Sequence, residues 1–72
     1  MNEYKPIACA THDRIEAAAT LRTRVRVTWR DGGSIAEREG VVEDVRVRDG
    51  AEYLVIDGAQ VRLDWIEVFE TL

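Results

Sequence analysis

Residues 24–33 read Arg24-Val25-Arg26-Val27-Thr28-Trp29-Arg30-Asp31-Gly32-Gly33. Val25, Val27 and Trp29 alternate with Arg24, Arg26, Thr28 and Arg30, the period-two pattern of a strand with one buried face and one wet face. Asp31-Gly32-Gly33 then supplies a tight turn, because glycine accepts the positive φ that short hairpin loops demand. The stretch predicts the first arm and the turn of an antiparallel hairpin.

Toward the C-terminus the same logic continues. A second strand begins near Ser34 and bends at Gly40, and the spacing of Val42, Val45 and Val47, three and then two, is what a β-bulge produces. Asp49-Gly50 and Asp57-Gly58 are further hairpin turns. Tyr53-Leu54-Val55-Ile56 between them is apolar on both parities, which predicts the most buried strand. Val61 and Leu63 alternate with Gln60 and Arg62, and Ile66, Val68 and Phe69 end the chain in a last short strand. Toward the N-terminus, Thr11 is placed to cap a helix through Leu21, rich in alanine at Ala17-Ala18-Ala19. Ile15, Ala18 and Ala19 share its core side, while Asp13, Glu16 and Thr20 point away.

The predicted fold is mainly β with one N-terminal helix: a small antiparallel barrel of about five bent strands. One domain spans residues 1–72, with the helix over 11–21 and the barrel over 22–70. The run from Val25 to Trp29, then Asp31-Gly32, then Gly40-Val41-Val42 resembles the first half of the Sm-like fold. Leu63-Asp64-Trp65-Ile66 offers nothing equivalent to the glycine-containing signature that RNA-binding Sm proteins carry on their last strands.

Composition narrows the function. With 72 residues, a chain buries only about 60% of the surface its unfolded form exposes, so the apolar residues serve one core and leave no room for a deep catalytic cleft. No apolar run approaches the roughly 18 residues that cross a bilayer. Met1-Asn2-Glu3-Tyr4-Lys5 lacks the layout of an export signal, and Pro6 belongs to a short lead-in. With a single cysteine there is no internal disulfide, and a cytoplasmic location is expected. Fourteen acidic side chains oppose ten basic ones, nine of which are arginine. An acidic balance favours a basic partner over nucleic acid. The basic charge is concentrated in Arg22, Arg24, Arg26 and Arg30; from Asp31 to Asp44 it gives way to Asp31, Glu37, Glu39, Glu43 and Asp44 against Arg38 alone.

Catalysis is not expected. Cys9 and His12 are too few for a nucleophile, a base and an orienting group, and Cys9 in Ile7-Ala8-Cys9-Ala10 reads as a small apolar residue packed under the barrel. Zinc wants about four such ligands and the chain has two, so neither metal nor cofactor is expected. The arginines of residues 24–30 are the best case for RNA. Glu37, Glu39 and Glu43 on the next strand are placed to neutralise Arg24, Arg26 and Arg30 instead, and no aromatic residue interleaves them to stack bases. Asp13 and Glu16 read either as surface carboxylates favoured by the helix dipole, at about 0.3–1 kcal/mol each, or as contacts for a basic partner. Trp65 is a further contact residue if it is exposed.

Several anchors in order resemble the Rho-binding antiterminators (Rof, also called YaeO), bacterial inhibitors of the termination factor Rho. They are Tyr4-Lys5-Pro6-Ile7, Cys9, Asp13-Arg14-Ile15-Glu16, Asp31-Gly32, Glu52-Tyr53-Leu54-Val55, and Arg62-Leu63-Asp64 with Ile66. The resemblance implies an Sm-like barrel with an N-terminal helix and a non-catalytic protein, monomeric when free. It implies binding to the N-terminal RNA-binding region of Rho, which keeps RNA from its primary site, with no direct contact to nucleic acid. It places His12, Asp13, Arg14 and Glu16 of the helix, and the loop Arg48-Asp49-Gly50, at the partner interface. His12 stands where the family often has tyrosine, Arg14 where it has a small polar residue, and Asp49 where a basic residue is more usual. The alternative is an Sm-like RNA-binding module using the arginines of the first strand.

Overall fold

The structure is a computed structural model and describes residues 7–72. The lead-in through Pro6, including Tyr4 and Lys5 of the family-like opening, lies outside the described residues. The elements run α1 (Cys9–Leu21), β1 (Arg24–Asp31), β2 (Ser34–Arg48), β3 (Ala51–Ile56), β4 (Ala59–Arg62), a single 3-10 turn (Leu63–Trp65) and β5 (Ile66–Thr71). Among the described residues no helix is long and apolar enough to cross a membrane.

The hairpins fall where alternation and turn residues put them. Arg24 to Asp31 pair with Val41 to Ser34 in unbroken antiparallel register, which leaves Gly32-Gly33 as the loop. Asp49-Gly50 and Asp57-Gly58 both adopt positive φ, at 52° and 78° and at 47° and 78°. These are the conformations of the two-residue turn whose twist matches that of the flanking strands, and glycine at the second position avoids the penalty a side chain would carry.

All five strands form one antiparallel sheet in the order β4-β3-β2-β1-β5. The ladder ends at β4 on one side and β5 on the other, so the sheet curls without being closed into a barrel by hydrogen bonding. β2 is the long member. It pairs with β1 as far as Gly40 and Val41, and from Val42 onward it pairs with β3. The expected bulge is present, since Val42 faces Ile56 while Asp44 faces Val55, leaving Glu43 as the extra residue.

One core lies between α1 and the inner face of the sheet. Ile15, Val25, Val27, Val42, Leu54, Ile56, Val61 and Leu63 are all fully buried, with Ala18, Trp29 and Phe69 nearly so. β3 is the most buried strand, as its two-sided apolar pattern predicts. Trp65 is half-buried against this core, and the Arg62 guanidinium lies 5.1 Å from its ring centroid while making two bonds of 3.0 and 2.9 Å to Asp64.

The helix differs from the expectation at its start. It begins at Cys9, after Ala8 in an extended conformation, and no side chain among the described residues caps it. The first bond runs from the His12 amide to the Ala8 carbonyl at 3.0 Å, so Thr11 lies inside the first turn and is not the cap. Alanine at 8 and 10 extends the helix as readily as the alanines further on. Two corrections follow. Asp13 and Glu16 lie beyond the first turn, where the dipole's influence has faded. Cys9 is exposed rather than packed under the sheet, because six residues before Ile15 at about 100° per residue puts it about 120° off the core side. Thr11, about 40° from Ile15 by the same count, is half-buried in its place.

Candidate functional site

Helical periodicity sorts the site residues by what they touch. Ile15 and Ala18 anchor α1 in the core, and the residues on either flank of that stripe reach across to the sheet. Arg14 reaches β5: its Nη2 donates to the Phe69 carbonyl at 2.9 Å, and its guanidinium sits 5.6 Å from the Phe69 ring centroid. His12 reaches β3: its Nε2 lies 2.8 Å from Glu52 Oε2. Its other nitrogen, Nδ1, is 3.6 Å from Glu16 Oε1, one turn along the helix. A carboxylate on each side favours the charged imidazole, so the His12 pKa is raised above 6.5, mainly by the bond to Glu52, with Glu16 and Asp13 adding to it against partial desolvation.

Asp13 follows His12 on the solvent side of α1. It is exposed, and among the described residues it makes no hydrogen bond or ion pair. Glu16 is more than half exposed, and its ion pair with His12 is long. Beside it, Glu16, Ala19 and Thr20 of α1 and Glu43, Asp44 and Val45 of the β2 bulge line an open groove of about 450 Å³. Asp44 is held by Arg46 Nε at 2.9 Å and by the Val45 amide at 2.9 Å, which lower its pKa. The outward side of α1 and the adjoining bulge therefore present carboxylates.

The loop Arg48-Asp49-Gly50 forms the exposed tip of the β2–β3 hairpin. The bond from His12 to Glu52 ties α1 to this hairpin two residues past Gly50. Ligand atoms of His12, Asp13 and Glu16 lie within 4.8 Å of one another, so the three side chains form one electrostatic cluster on α1. Residues 9 and 12, the only cysteine and histidine, share the first helical turn, but Cys9 is exposed while His12 faces β3.

The arginines of β1 are largely answered by acids. Arg26 lies 3.2 Å from Glu37, 2.8 Å from Glu39 and 3.5 Å from Glu70, and the pairing with Glu39 above all raises its pKa. Arg30 is 3.7 Å from Glu67 on β5 instead of pairing with β2. Arg24 has no ion-pair partner among the described residues, because the bulge carries Glu43, one of its expected partners, to the groove beside α1.

Sequence reading named His12, Asp13, Arg14 and Glu16 but gave His12 and Arg14 no internal partner. Glu52 and Glu43 were missed as parts of the site. Nothing local could have revealed them, since His12 and Glu52 are 40 positions apart and Arg14 and Phe69 are 55 apart. Replacing Arg14 with alanine is expected to destabilise the fold by about 1–2 kcal/mol, through the lost bond to a carbonyl and the lost ring contact. Urea denaturation measures it, and an unchanged midpoint would show that the contact is not stabilising.

The family model described as Modulator of Rho-dependent transcription termination (ROF) matches residues 6–72. Neither comparison with curated proteins nor comparison with solved structures gives a match.

Proposed function

Since the chain belongs to the ROF family, modulators of Rho-dependent transcription termination, we propose that it inhibits termination by occupying the N-terminal RNA-binding region of Rho. The carboxylates of α1 pair with lysines and arginines that otherwise hold RNA phosphates. The observation that carries this mechanism is Asp13, an exposed carboxylate with no hydrogen bond or ion pair among the described residues, next to the half-exposed Glu16. A carboxylate not already satisfied within its own molecule keeps its full capacity to accept charge-assisted bonds from arginine. The Arg48-Asp49-Gly50 tip acts as a second contact, on the same side of the molecule as Glu52. Arg14 serves mainly as a brace between α1 and β5.

The protein acts in the cytoplasm as a non-catalytic monomer that does not bind RNA itself. The three carboxylates around Arg26 support the last point, because they cancel the centre of the basic stripe. We read the architecture as a variant of the Sm-like fold, a reading supported by a helix that precedes five antiparallel strands and by a second strand that serves both halves of the sheet.

RNA displacement tests the reading. Labelled RNA bound to purified Rho is expected to be released as this protein is added, with no retention of RNA by the protein alone in a filter assay. Because the attraction is Coulombic, the association rate falls as salt rises. RNA retention without Rho would favour the RNA-binding module, and undisturbed Rho–RNA complexes would overturn the inhibitor.

A further inference from the structure

We propose that His12 is a proton-operated latch on Glu16 that sets how much negative charge α1 presents to its partner, an inference that rests on the Rho-binding reading. The geometry gives the two ring nitrogens different tasks. Glu52 on β3 holds Nε2 at 2.8 Å, a short bond that fixes the ring and keeps the proton on that nitrogen in both charge states. Nδ1 faces Glu16 at 3.6 Å, so the proton gained or lost on titration is the one between His12 and Glu16. Protonated, Nδ1 draws the Glu16 carboxylate toward the body of the protein. Neutral, it turns a lone pair toward that carboxylate, and Glu16, already more than half exposed, swings outward as an unpaired charge.

The surroundings agree with this assignment. Glu16 and Asp13 on the helix and Glu52 on β3 all act on the imidazole to favour its charged form. From β2, Glu43 and Asp44 line the groove that Glu16 shares. From β5, Glu67 lies on the far flank of the helix beside Thr11 and Arg14. Cations of the partner arriving at Glu16 oppose the imidazolium, so binding expels the proton. By linkage, affinity then rises with pH across the interval between the His12 pKa of the complex and that of the free protein. Stability runs the opposite way: with the folded pKa raised above 6.5, the latch contributes fully below the unfolded value and its contribution is lost as pH rises through the folded one.

The chain has one histidine, so its imidazole resonances report the latch directly by NMR. The free protein is expected to titrate above the ordinary value, and Glu52→Gln and Glu16→Gln are each expected to bring the midpoint down. An unchanged midpoint in the Glu16→Gln variant would overturn the latch, with the amide spectrum verifying that each variant is folded. In the second arm, wild-type affinity for Rho is expected to rise about three- to tenfold between pH 5.5 and 8.0, corresponding to a half-unit to one-unit displacement of the pKa on binding. His12→Gln should lose that component, and parallel pH profiles for the two proteins would overturn it. Absence of Rho binding at every pH would overturn the functional reading and this second arm together, while the titration of the free protein would still decide the latch.

Discussion

Arginine in place of Asp13 is expected to abolish binding to Rho, and alanine to weaken it by about 1–3 kcal/mol. The asymmetry between the two variants is informative. Alanine removes one charge-assisted acceptor from an interface whose other carboxylates remain, whereas arginine sets a cation against the basic groups that Asp13 is proposed to meet. Neither change is expected to disturb the fold, because the Asp13 side chain is exposed and makes no hydrogen bond or ion pair among the described residues. Equilibrium binding to purified Rho measures the effect, with thermal denaturation as the control for folding. If both variants bind as well as wild type, α1 is not the interface.

The largest effect on stability is expected from Leu54→Ala. Leu54 is fully buried in the middle of β3, between Val45 of β2 on one side and Val61 of β4 on the other. Truncating such a side chain leaves a cavity and costs about 2–5 kcal/mol. Domains hold only about 0.05–0.15 kcal/mol of stability per residue, so in a chain of 72 residues this one change removes a large share of the total. A shift in the urea midpoint corresponding to less than about 1 kcal/mol would mean that neighbouring side chains collapse into the space.

The hairpins were legible in the sequence because their determinants are local. Alternation of Val25, Val27 and Trp29 with arginine, and the pairs Asp49-Gly50 and Asp57-Gly58, each decide a conformation within a few residues. The bulge at Glu43 was legible for the same reason, through the offset spacing of three valines. The helix start was misread because Ile7-Ala8-Cys9-Ala10 carries no period: an apolar tetrapeptide reads as core, while its alanines are equally good helix formers. Barrel closure depends on how far the edge strands β4 and β5 are kept apart, which no local pattern encodes. In the candidate site, the outward direction of Asp13 followed from helical geometry. The partners of His12 and Arg14 did not, because they come from strands formed much later in the chain.

The division of β2 between two neighbours has a mechanical consequence. Since β1 grips its first half and β3 its second, the two hairpins share no ladder with each other and are joined through the continuous backbone of β2 and the common core beneath it. α1 rests its buried stripe on the body organised around this spine. Whatever docks against the helix therefore meets a backbone already seated on its core, so that affinity turns on the side-chain charges of α1 and on their protonation rather than on ordering the helix itself.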